Sequence, residues 1–414
     1  MSTATVCPYA AFGRAYDPLE HKTAHALFRR ARAEAPVFFN ADLGYWVLTR
    51  REDALIAMRD ANRFSADIAL APLSPYPAEV VAALQAGGFT AEPTQVNCDR
   101  PKHTGIRALV AQFLNMRRFN AMEGRVRAMT REAIMGMRGK GRVDLVADLT
   151  YELPARVLFE LLGITDMEAS RIKRWGDNRL MMIFGRPTPD ALREGGEELL
   201  DFFVYCRGLV EARIAAPGDD YASKLLALRG GDDAVITINQ IVSLVFGLLL
   251  AGHETTTNAA GNLVLELLQA PGQWAAVRDD PALIPNAVEE GLRHASSVIA
   301  WRRRALVDAV FSGVVIPKDA RILIALASAN RDEDRFEDGE RFIADRPNAR
   351  DHIAFGNGIH FCIGAPLARL EMRVILEELT TAFPNMSLAQ GQNVDFLRTI
   401  AFRGPHALLV DLNE

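Results

Sequence analysis

Cys362 sits in the run Phe355-Gly356-Asn357-Gly358-Ile359-His360-Phe361-Cys362-Ile363-Gly364, directly ahead of a helix-forming stretch that starts near Ala365. A lone thiol is usually a small buried hydrophobe. This one lies in a glycine-punctuated loop at a helix mouth, where free amides and the helix dipole favour the thiolate. A thiolate held that way is a metal ligand. Gly356, Gly358 and Gly364 let the backbone turn tightly and approach a flat object. A second anomaly is Ala251-Gly252-His253-Glu254-Thr255-Thr256, inside an otherwise apolar helical run. Glycine and adjacent threonines weaken a helix. The Thr255 hydroxyl can bond a carbonyl one turn earlier and bend or open the helix there. Two further pairs each share a helix face: His103 with Arg107 at i and i+4, and Glu290 with Arg293 at i and i+3. An exposed pair of the second kind contributes only about 0.2–0.5 kcal/mol.

The elements that must position these residues are mostly helices. Lys22 to Glu34 is amphipathic, with Ala24, Leu27, Phe28 and Ala31 on one face. Val37–Phe39 and Tyr45–Thr49 read as a hairpin, and Glu52 to Asp60 as a helix. Phe64 to Arg100 is broken by prolines and glycines, with a short helix at Ala78 to Gln85; such a segment inside a compact domain is often a binding loop. From Lys102 to Thr237 the chain is mainly helical. Thr237 to Gln269 reads as one long helix through the core. Short strands follow at Ala309–Ile316, Arg321–Ala325 and Ile400–Val410. The expected fold is mainly α with small β-sheets.

Composition narrows the function classes. The chain has 414 residues, 49% hydrophobic and 24% charged, with net charge -5, which is ordinary globular composition. No linker or repeat divides it, so one large domain over 1–414 is expected. Mild acidity argues against a nucleic-acid partner. The four cysteines, Cys7, Cys98, Cys206 and Cys362, are too scattered for zinc, dithiol or disulfide-framework chemistry. The N-terminus lacks the basic start and apolar run of a signal peptide. Ile241 to Gly252, the most apolar stretch, falls short of the ~20 residues a bilayer span needs. A cytoplasmic protein with no membrane segment is expected.

The spacing Phe-x-x-Gly-x-x-x-Cys-x-Gly resembles the haem-binding loop of the cytochromes P450. The resemblance runs from about Pro36 to the C-terminus and is closest to haem domains of bacterial self-sufficient P450s fused to phthalate-dioxygenase-type reductases. It rests there on Leu43-Gly44-Tyr45-Trp46-Val47, Ala251 to Thr256 and Ser297 to Arg303. It implies a helical fold around haem b, with Cys362 as axial iron ligand, Gly364 in its loop and Phe355 shielding the sulfur. It assigns Glu254 and Thr255 to proton delivery, a carboxylate and a hydroxyl forming a short relay completed by water. Ala251, with Gly252, leaves space for oxygen.

Propionate partners implied in the same way are His103, Arg107, Arg303 and His360, with Arg302 to Arg304 leaving the choice of arginine open. Glu290 and Arg293 match the family's Glu-x-x-Arg pair and are structural, with Arg346 a candidate partner; Gly339 stands where the later signature usually has proline. The family's pocket positions fall on Leu250, Ala251, Val298, Ile299, Ala300, Met181, Phe184 and Phe402. Arg179 and Arg186 are read as solvent-facing, the alternative being that they meet a substrate carboxylate. The resulting expectation is a monooxygenase acting on a small hydrophobic or aromatic substrate by hydroxylation or O-/N-dealkylation. It uses O2 and electrons from a separate ferredoxin or reductase; the sequence to Glu414 holds no flavin or iron–sulfur segment, as in a free-standing relative or in the haem domain of a longer protein. The alternatives are a peroxide-driven peroxygenase, a nitric-oxide-reducing relative and a non-catalytic haem sensor.

Overall fold

The computed structural model describes residues 8–164 and 169–414; Cys7 and the extreme N-terminus lie outside the described residues. Apolar periodicity becomes helix wherever capping residues mark the ends. Leu153–Leu162 buries eight side chains, carries Pro154 in its first turn and stops at Gly163, whose φ of 64° suits glycine. Ile238–Ala251 starts where the Thr237 side chain accepts from the Gln240 amide, and its first half is buried on all sides. Glu123–Met137, Ala169–Phe184, Pro189–Ala215, Glu254–Gln269, Ile284–His294 and Ala365–Ala382 complete the main helical body.

The largest sheet joins β1 (Val37–Asn40), β2 (Tyr45–Leu48), β3 (Phe64–Ser65), β4 (Trp301–Ala305) and β5 (Arg321–Ile324) in the order β1-β2-β5-β4-β3. Only β2 and β5 run parallel. One apolar core fills the helical side and another packs against this sheet. Leu249 belongs to the first and Leu250 to the second, so the helix carrying Ala251 runs along the seam between them.

The helix read over Thr237 to Gln269 opens at Gly252 and His253, where Thr255 was expected to bend or open it, giving Ile238–Ala251 and Glu254–Gln269. The sequence expectations fail in two places. Ala309–Ile316 is not one strand but a hairpin, because Ser312 and Gly313 both take positive φ, as a two-residue hairpin turn requires. Ile400–Val410 is mostly irregular. Gly404 presses against Asn258, so closely that an added Cβ would lie 1.9 Å from Oδ1, and only Leu409–Asp411 pairs as a strand.

Candidate active site

The Cys362 loop is closed by backbone bonds. The Cys362 amide donates to the Phe355 carbonyl at 2.9 Å and the Phe361 amide to Gly358 at 3.1 Å. Gly356 and Gly358 both have φ of 73°. Gly358 is doubly constrained, since a Cβ there would sit 2.7 Å from the Met58 carbonyl oxygen. Gly364 differs: its φ is -84°, and an added Cβ would meet the Cys362 sulfur at an ordinary 3.9 Å. The backbone turn therefore does not by itself demand glycine at that position. Protein surrounds Cys362 on every side, yet its surface and that of Phe361 are open. The sulfur thus faces an internal void.

Burial pushes the Cys362 thiol up. The amides of Gly364 and Ala365 and the charges of Arg107 and Arg369 pull it down without winning. The helix start alone does not secure the thiolate; a coordinated cation has to supply the rest. Phe355 contributes its carbonyl to the loop, and its ring lies 4.6 Å below the Arg369 guanidinium.

Ala251 also keeps open surface inside the protein. It is exposed although it ends a helix buried in the core. Thr255 donates its hydroxyl to the Ala251 carbonyl at 3.1 Å, across the interruption. Gly252 does not open space beside it: a Cβ there would lie 2.9 Å from Leu158, so this glycine serves close helix packing.

Glu254 is buried and ion-paired with Lys173, a residue the sequence reading missed. Lys173 projects from Ala169–Phe184 one turn before Asp177, and nothing in the sequence set it apart from a solvated lysine. Its ammonium also lies 3.6 Å from Asp177 and 3.9 Å from the centre of the Tyr151 ring. Burial pushes it down to about 8, with Asp177 pulling the other way. Asp177, His253 and Glu254 together resemble a metal-ligand cluster, but the ammonium already occupies the cation's place.

Strand alternation sorts the three arginines of β4. Arg302 donates to the carbonyls of Ala69 and Ala71, and Arg304 pairs with Asp67 and Asp319. Arg303, on the other face, is buried and close enough to His103 and His360 for its charge to lower both. The two imidazoles lie 4.4 Å apart, and each keeps a buried Nε2 with no hydrogen-bond partner. Burial pushes His360 down to about 4, with Arg303 and His103 adding to it. With Asp99 the one carboxylate acting on all three groups, the unmatched donors beside Arg303 are suited to an incoming anion. Arg107 instead spends one donor on the Phe361 carbonyl, at 2.6 Å.

The pocket residues meet in part. Val298 bridges to Phe402, Ile299 donates to the Ala401 carbonyl, and the Phe184 ring packs edge-on against Phe402 at 5.0 Å. Phe184 and Ala300 are only 1% exposed, so they back the wall rather than face the void. Leu250 and Ile299 keep a little surface and Met181 more. Arg186 is exposed, but Arg179 is not at the solvent: it is enclosed beside Phe246.

Glu290 and Arg293 lie wholly inside. Arg293 donates to Glu290 at 2.6 and 2.8 Å, Arg346 reaches both carboxylate oxygens at 3.1 Å, and the Ile343 amide adds a bond at 2.9 Å. Gly339, where proline was expected, is required by space, since a Cβ would lie 2.3 Å from the Arg331 carbonyl oxygen.

An open thiol, an open alanine beside a hydroxyl, and Arg303 with two imidazoles holding unpartnered donors suit a flat dianionic ring with a central metal. The kinship of the chain agrees. Residues 215–403 match the family model for cytochrome P450. The chain is 35% identical over 408 residues to 6-deoxyerythronolide B hydroxylase of Saccharopolyspora erythraea, covering 95% of this chain and 98% of that protein. It is 36% identical to cytochrome P450 107B1 of the same organism over 354 residues, 84% of each. Cytochrome P450 CREJ, solved with (4-ethylphenyl) dihydrogen phosphate, superposes with a TM-score of 0.93 at 34% identity, over 96% of this chain and 99% of that one. Full-length CYP116B46 from Tepidiphilus thermophilus gives 0.93 at 32% identity, over 98% of this chain and 54% of that one. The self-sufficient fusions are therefore among its relatives, alongside P450s solved without a reductase. With its thiol loop, interrupted helix and buried Glu-x-x-Arg brace, the chain belongs to the cytochrome P450 family, whose members are haem b monooxygenases.

Proposed function

We propose that this protein hydroxylates or dealkylates a small, largely hydrophobic aromatic substrate with O2 and two electrons from a separate ferredoxin-type donor. The observation that carries the reading is Thr255 beside the open Ala251 at the helix interruption, with the Glu254 carboxylate buried behind it on Lys173. Bound haem supplies oxygen activation, with Cys362 as its ligand and His103, Arg107, Arg303 and His360 meeting its propionates; the Phe361 carbonyl takes only one of the five Arg107 donors. The chain supplies the protons. Thr255 Oγ1 holds one at the edge of the void, and Glu254 replenishes it from the buried side after its carboxylate turns away from Lys173. Leu250, Ile299, Val298 and Met181 exclude water and hold an apolar ring. No helix among the described residues is long and apolar enough to cross a membrane, in keeping with a cytoplasmic enzyme. Arg59 lines a surface groove of mixed charge, with Arg50, Arg63, Asp60 and Asp332 among its walls, and bonds to Asn357 of the Cys362 loop, so a donor seated there would lie against the loop that carries the thiol.

Product yield from an aromatic ether or alkylbenzene, compared between a NAD(P)H–ferredoxin system and hydrogen peroxide, tests the reading. The ferredoxin system is expected to give more product per haem. Greater yield with peroxide would assign the protein to the peroxygenases. Binding without product in either system would make it a sensor.

A further inference from the structure

Arg179 is a cation for which the proposed chemistry has no use. Its guanidinium lies 3.6 Å over the Phe246 ring and donates Nη1 to the Phe246 carbonyl at 2.7 Å. That is one of five donors. Among the described residues no carboxylate pairs with it; the polar groups near enough to influence it are the Tyr76 phenol and the buried, neutral Cys206 thiol. Protein encloses Arg179, yet it keeps half-open surface, as does Tyr76, so both look into an internal space rather than bulk water. An enclosed charge with no counter-ion is costly, and burial accordingly lowers Arg179 to about 10.

The location of that charge connects it to the substrate void. Helix carbonyls point toward the C-terminus, so the Phe246 oxygen is directed at the turn carrying Leu250 and Ala251. Phe246 and Ala251 are separated by roughly 7 Å along the axis. An anion on Arg179 would therefore stand about one benzene ring away from the open face of Ala251. Nothing on the Ala251 side competes for it, since Glu254 is paired with Lys173.

We infer that Arg179 binds an anionic head group on the substrate, so that the enzyme oxidises the para-alkyl end of an aryl carboxylate or aryl phosphate. This inference rests on the haem-monooxygenase reading above and adds the substrate's charge and polarity. Arg179 is a specificity residue; it touches no reacting atom.

Calorimetric titration of the holoenzyme with 4-ethylbenzoate, 4-ethylphenyl phosphate and the neutral 4-ethylbenzamide tests it, because heat of binding does not depend on turnover or spin state. The wild type should bind at least one of the two anions roughly tenfold or more tightly than the amide, the scale of a charge-assisted bond. Arg179→Gln should erase that preference and leave amide affinity within about twofold of the wild type. Stronger binding of the phosphate or of the carboxylate identifies the natural head group. Equal loss for anion and amide in Arg179→Gln would reduce Arg179 to a strap across Phe246 and overturn the proposal, as would a wild type that binds the amide as well as the anions. The reduced carbon-monoxide spectrum of the same samples reports separately on the haem-thiolate centre, so failure of that reading is distinguishable from failure of this one.

Discussion

Glu254→Gln is expected to lower product formation about 100-fold, the lower end of what a positioned general acid contributes, while substrate affinity stays nearly unchanged. The amide keeps the shape of the carboxylate but cannot take up and release a proton. Thr255 Oγ1 would then be left with a proton it cannot replace. Glu254 faces Lys173 rather than the void, so its loss removes no substrate contact. The fall should therefore appear equally in kcat and kcat/KM, as for an interaction made only in the transition state. NAD(P)H consumption should continue without matching product. Glu254→Asp, which restores an acid at shorter reach, should recover part of the rate. Steady-state kinetics with product quantitation checks all three. A rise in KM at constant kcat would show that Glu254 acts in binding instead.

The largest stability effect is expected at Glu290. Its carboxylate accepts from Arg293, Arg346 and the Ile343 amide inside the protein, while Arg293 also holds the carbonyls of Asn330, Gly339 and Arg341. Glu290→Gln leaves two buried guanidiniums facing a neutral amide. Breaking a buried ion pair from one side costs about 3–5 kcal/mol, because the abandoned charge remains desolvated. The urea midpoint should fall accordingly, and haem retention with it, since this network anchors the segment leading to the Cys362 loop. The exposed Arg30–Glu34 pair is the natural control: Glu34→Gln should shift the midpoint by less than about 0.5 kcal/mol. Equal small effects at both sites would show that the brace carries no special weight.

Local chemistry was the legible part of this sequence. The Cys362 loop announces itself because turn glycines, a thiol and a helix start lie within ten residues, and the interrupted helix because Gly252 and Thr255 oppose helix formation where they stand. The hairpin at Ser312-Gly313 was also within reach, since a small residue followed by glycine between short apolar runs is a turn signal. Lys173 was not. Its partner lies 81 residues away, and a lysine among tryptophan and isoleucine reads as solvated until the helix's rotation is known. Arg179 was misread for the same reason: the Ala169–Phe184 helix turns this arginine toward Phe246, a fact of packing rather than of periodicity. Choosing Arg303 over its neighbours required the register of β4 against β5, which sets which arginine faces His360. Gly252 shows the reverse error, a glycine credited to ligand space when Leu158 needed the room.

The most direct test is the absorption spectrum of the reduced, carbon-monoxide-bound holoprotein. Haem ligated by the Cys362 thiolate should give the thiolate band at about 450 nm, and Cys362→Ser should abolish it while the protein stays folded by circular dichroism. A wild type without that band, or a serine variant that keeps it, would contradict the assignment of Cys362 as the iron's ligand.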